Sequence, residues 1–261
     1  MERFPPRREE VAGWLGLPLH GSPVIVLVDD HEGMVREAGG PVPEWAVAVT
    51  LADDRLVFRL DRVGRGPHNA TRVVLVHEAV HQALNQLRRA GRARPLPRWF
   101  EEGLCVHRAG ASYLRTDYSV ARTAAAGRLP PFEDADEGFR SADPHTAALA
   151  YEQGRSAVSF FLGEYRLPAL RRLLRLVAEG ASFRSAFARA TGEELASFEE
   201  RWRREVTPVL PFFLFVLMEN IELALIGAAG LLVVVGYLRA RRRRPAELAA
   251  LGEGEPPEAP P

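Results

Sequence analysis

The chain has 261 residues, 34 basic and 34 acidic side chains, a formal net charge of zero, and 47% hydrophobic residues. That balance excludes a disordered polyelectrolyte and leaves no basic surplus for nucleic acid, while the length allows one generous domain plus extra segments. Every basic residue is Arg, which reads as compositional bias, and the single cysteine, Cys105, excludes an intramolecular disulfide.

Residues 1–10 lack the apolar h-region of a signal peptide. The β signals fall in residues 20–62: an apolar run at 24–28, then 46–51 and 56–60, which flank Asp53 and Asp54 and predict a hairpin. A polar loop follows at 61–70. Residues 71–90 read as one helix, because Val73, Val76, Val80, Leu84 and Leu87 recur at three- and four-residue intervals. Thr71 or Asn69 would cap its start and Gly91 its end. Pro95 and Pro97 close a short link before a second helix beginning near Arg98. Residues 127–145 read as a polar, Gly- and Pro-containing loop whose Glu133, Asp134, Asp136 and Glu137 form a solvated acidic run.

Inside the first helix lies His77-Glu78-Ala79-Val80-His81. Two imidazoles four positions apart project from one helix face, close enough to grip one metal ion, and the intervening Glu78 can reach a water held there. A hydrolytic zinc site needs a third protein ligand and one open position. A carboxylate near the start of the second helix can supply it, since two helices joined by a short link pack together. Periodicity does not choose between Glu101 and Glu102, and it leaves His107 open. Cys105, on an apolar helix, reads as a small buried hydrophobe.

The segment holding Trp99, Glu102, Gly103 and Leu104 resembles the Trp-Leu-x-Glu-Gly-Leu-Ala-Val-Tyr block of gluzincin metallopeptidases, the superfamily of thermolysin and the large zinc aminopeptidases. That resemblance implies Glu102, directly before Gly103, as the third ligand to one Zn²⁺ held by His77 and His81. Gly103 would let the two metal-bearing helices approach closely. Cys105 stands where the pattern has Ala, and His107 where it has Tyr. Tyr151, Gln153 and Gly154 resemble a helix of small membrane-associated gluzincin-like peptidases, which implies Tyr151 as a catalytic donor to the oxyanion. The resemblance covers about residues 70–206. It implies a small sheet packed on the metal helix, with an edge strand receiving the peptide or protein substrate. Glu78 would act as general base and then acid on a metal-activated water.

Residues 209–238 are overwhelmingly apolar apart from Pro211, Glu219, Asn220 and Glu222, and arginines crowd 239–244. Length and stop cluster predict one transmembrane helix in a lipid bilayer, with the arginines cytoplasmic. The expected fold is therefore α+β. A zincin-like domain spans 1–206, β-rich over 20–62 and helical over 70–206. The membrane helix (209–238) follows, then a basic cluster and disordered tail (239–261). The arginine cluster leads to the expectation of a peptidase domain outside the cytoplasm, in a chain that starts short of its true beginning; the plain N-terminus gives the alternative, a tail-anchored protein with that domain inside the cell. The competing expectation is an inactive zincin-like binding or scaffold membrane protein. An intramembrane protease is disfavoured, since the motif helix runs on into Asn85, Arg88 and Arg89.

Overall fold

Capping residues set several helix boundaries in the computed structural model, which describes residues 4–65, 71–89, 92–110, 118–207 and 221–251. It divides into two units, Met1–Pro208 and Val209–Pro261. The first begins with helix α1 (Phe4–Leu15), strand β1 (Ile25–Val28) and helix α2 (His31–Ala38). Asp30 starts α2 by accepting from Gly33 N at 2.9 Å, and Gly39 ends it in the left-handed conformation. The hairpin expected around Asp53 and Asp54 forms from β2 (Ala48–Thr50) and β3 (Leu56–Arg59), with Ala48 opposite Phe58 and Thr50 opposite Leu56. β1 lies parallel to β3, pairing Ile25 with Leu56, so the sheet order is β1-β3-β2 and β2 is an edge. Arg59, only 2% exposed, ties this sheet to its neighbouring loop. It donates to Asp61 at 2.8 and 3.1 Å and to the carbonyl oxygens of Glu44 and Ala46.

The apolar rhythm of residues 71–90 produces α3 (Thr71–Arg89), and α4 (Arg98–Ala109) follows the prolines of the link. The expected cap Asn69 and stop Gly91 lie outside the described residues. Helices α5 (Tyr118–Ala125) and α6 (Ala135–Gly138) lead to α7 (Pro144–Ala178), which Asp143 caps through the amides of His145 and Thr146. The acidic 127–145 segment is anchored rather than merely solvated, because Phe132 and Phe139 are buried. α7 bends at Arg166, whose φ of 64° and ψ of 176° lie outside helical space, two residues before Pro168. α8 (Phe183–Thr191) and α9 (Leu195–Val206) complete the unit. Behind α4 an aromatic core joins Trp99, Phe132, Phe161, Phe187, Phe198 and Trp202, and Trp99 stacks on Phe132 at 4.0 Å. Such pairs contribute about 0.5–1.5 kcal/mol beyond their burial.

Gly103 has a different partner from the one expected. A Cβ placed there would lie 2.4 Å from Gly154 O, so the missing side chain admits α7 against α4 rather than α3. Gly154 is reciprocal, since its Cβ would lie 2.5 Å from Trp99 O.

The second unit contains α10 (Ile221–Leu251). Here the expected fold class and localisation are corrected. The protein is mostly helical with one small three-stranded sheet, and among the described residues no helix is long and apolar enough to cross a membrane. A single-pass membrane protein is therefore not supported. In α10 the uncharged run between Glu222 and Arg239 gives about 24 Å of helix, short of a bilayer core of roughly 30 Å. Residues 209–220, which the expected span required, lie outside the described residues.

Candidate metal centre

α3 and α4 bring His77, His81 and Glu102 together, all buried or nearly so. One helical turn separates the two histidines, and their ring centroids are 5.0 Å apart. Glu102 Oε2 lies 3.4 Å from His77 Nε2 and 3.4 Å from His81 Nε2. Two donors each 2.0–2.1 Å from a tetrahedrally held zinc ion stand roughly 3.3–3.4 Å apart, so both distances match the edge of such a site. Glu102 Oε2 is also buried without a hydrogen-bond partner. A buried charged oxygen without such a partner is costly unless something else satisfies it. The donor set therefore fits a divalent cation.

Charges at the cluster reinforce one another. Burial disfavours an ionised Glu102, but His81 and His77 outweigh it and hold the carboxyl well below the usual range. Burial likewise works against a charged His81, and Cys105, Glu102 and Glu101 overcome it, so its pKa lies well above the ordinary histidine value. Burial pushes the Cys105 thiol up to about 12 despite the pull of His81. Cys105 is no isolated hydrophobe: its sulfur belongs to one cluster with donor atoms of His77, His81 and Glu102, all within 4.8 Å of one another.

Glu78 is 5% exposed and accepts from Thr50 Oγ1 at 2.6 Å through its Oε2. It lines a cavity of about 340 Å³ together with His77, His81, Arg98, Glu102 and Tyr151. The edge strand β2 lines the same cavity, as do Val42, Trp45, Val73 and Val74. Tyr151 is buried against Phe139 and Trp45, with ring centroids at 4.9 and 5.7 Å, and lies 6.4 Å from the His77 ring. His107 faces elsewhere: its Nδ1 is 2.9 Å from Ser159 Oγ and its ring stacks on Trp14.

Sequence reasoning missed Thr50, because a lone threonine at a strand end carries no pattern. It also missed what Glu101 touches, His81 Nδ1 at 3.1 Å. Cys105 had a visible signal: three residues beyond Glu102 is the same helix face.

No curated protein and no solved structure matches the chain. The profile of the Peptidase MA superfamily matches residues 20–208. The chain belongs to the Peptidase MA superfamily, whose members are peptidases that typically depend on a metal.

Proposed function

We propose that the protein is a zinc-dependent peptidase of the gluzincin type, its peptidase domain spanning residues 1–206. His77, His81 and Glu102 would hold one Zn²⁺. The observation that carries this reading is the convergence of Glu102 Oε2 on both Nε2 atoms at 3.4 Å. When bound, the ion supplies an acidified water and a polarised scissile carbonyl.

Glu78 takes the proton of the attacking water and delivers it to the leaving amine, as general base and then acid. Thr50 holds that carboxylate at 2.6 Å and so fixes where it points. The edge strand β2 accepts an extended peptide as an added strand, with Val42, Val73, Val74 and Trp45 offering apolar surface to its side chains. Tyr151 donates to the oxyanion from the same cavity.

One observation favours a second reading. With Cys105 as a fourth donor, the site would be closed and structural, and the chain a zincin-like binding or scaffold protein. Metal analysis and peptide turnover of wild type, Glu78→Gln and Cys105→Ala separate the two. The peptidase reading expects one zinc in all three and turnover in wild type and Cys105→Ala only. Equal turnover by Glu78→Gln, or loss of zinc from Cys105→Ala, would overturn it.

A further inference from the structure

The geometry points to Glu101, gripped by Arg88, as the positioning residue that fixes which nitrogen of His81 faces the metal. This rests on the proposed metal role of His81. Glu101 and Glu102 are sequence neighbours on α4, so the helix sends their carboxylates in different directions. They reach opposite edges of one imidazole. Glu102 Oε2 lies 3.4 Å from Nε2, and Glu101 Oε1 lies 3.1 Å from Nδ1. An ionised carboxylate only accepts, so the hydrogen of this bond sits on Nδ1, and Nε2, on the far edge of the ring, is the nitrogen that would give up its proton to take a metal ion.

Glu101 is itself held at two points. Arg88 Nη1 donates to its Oε2 at 2.7 Å and Nη2 to its Oε1 at 3.3 Å. Arg88 also donates to Asn85 Oδ1, and Asn85 Nδ2 donates to Leu51 O at 3.1 Å, just beyond β2. The order is Leu51, Asn85, Arg88, Glu101, His81. These groups are largely shielded from water, and a charge-assisted bond there is stronger than an exposed one.

The two glutamates differ in what they leave open. Both oxygens of Glu101 are engaged by Arg88 or His81, whereas Glu102 Oε2 has no hydrogen-bond partner and points at both histidines. That makes Glu102 the ligand and Glu101 the group behind it. The two histidines also differ, because His77 Nδ1 is buried without a hydrogen-bond partner. Orientation is therefore imposed on His81 and not on His77.

The test is Zn²⁺ affinity of the full chain, measured by competition with a chromophoric chelator, alongside ¹⁵N shifts of the His81 ring. Glu101→Ala and Arg88→Leu should each bind one zinc ion 10- to 100-fold more weakly, the usual effect of removing a partner behind a metal-bound histidine. Glu101→Gln keeps the shape, removes the charge and should fall between them and wild type. The Nδ1-protonated signature of His81 should be present in wild type and weakened in Glu101→Ala. Glu102→Ala should lose far more affinity than any of these. Affinity of Glu101→Ala and Glu101→Gln within about threefold of wild type would overturn the assignment. So would zinc retained by Glu102→Ala but abolished by Glu101→Ala, which would make Glu101 the ligand. Failure of wild type to bind zinc would remove the metal reading itself, a result distinct from either.

Discussion

Replacing Gly103 by Ala tests how the site is held in place. The new Cβ would sit 2.4 Å from Gly154 O, 2.6 Å from Gly154 C and 2.8 Å from Val158 Cγ2. Two of those three atoms are backbone and have no rotamer to escape into. An ordinary contact needs about 3.4 Å, so α4 and α7 must separate by roughly 1 Å. Overpacking of this kind costs about 1–3 kcal/mol, and a clash with backbone belongs at the upper end. Better helix propensity of Ala over Gly returns about 1 kcal/mol, leaving a net loss of roughly 2 kcal/mol. Because Glu102 is the adjacent residue, the same displacement should weaken zinc binding. Urea unfolding of the zinc-free protein reads the first effect and chelator competition the second. Gly163→Ala is the control: it lies in the same helix as Gly154, its Cβ meets nothing within 4 Å, and it should gain about 0.5–1 kcal/mol. If Gly103→Ala were as stable as Gly163→Ala, the close α4–α7 contact would not exist as described.

Three further outcomes are expected. Arg166 occupies a region of backbone space that is almost exclusively glycine's, so Arg166→Gly should raise stability by about 1–2 kcal/mol, and a lower melting temperature would contradict the strain. Hydrogen bonding to Arg59, opposed by desolvation, holds the Asp61 carboxyl below its ordinary value. A depressed carboxylate stabilises the fold above its unfolded pKa of about 3.9 and loses that contribution as pH falls through the folded value. Wild type should therefore outlast Asp61→Asn in denaturant at pH 7 but not in strong acid, and an advantage independent of pH would count against the pairing. Glu78→Gln should retain zinc, since Glu78 is outside the proposed ligand set, while losing turnover by about 10²- to 10⁴-fold; loss of zinc would place Glu78 among the ligands instead.

What the sequence disclosed was the local part of the site. His77, Glu78 and His81 share one helix, so their mutual placement follows from a four-residue spacing that any reader of the chain can see. Glu102 needed a second helix to fold back, and a family pattern rather than periodicity chose it over Glu101. The contacts missed are those made across elements: Thr50 from the sheet onto Glu78, Glu101 onto His81, and Gly103 onto Gly154. No periodicity encodes such pairs, because each is set by how two elements dock. The caps at Asp30 and Asp143 were not singled out in the sequence, although each is a single side chain accepting from the backbone amides just beyond it. The transmembrane expectation counted residues 209–238 together; of these, 209–220 lie outside the described residues, and the uncharged run of α10 between Glu222 and Arg239 is by itself too short to cross a bilayer.

On the proposed reading, two imidazoles and one carboxylate meet around a single divalent ion. X-ray absorption of the zinc-loaded chain tests it most directly. One zinc ion per chain is expected, with two imidazole nitrogens and a carboxylate oxygen at about 2.0–2.2 Å. A protein that binds no zinc, or zinc surrounded by ligands unchanged in His77→Ala, His81→Ala and Glu102→Ala, would contradict it.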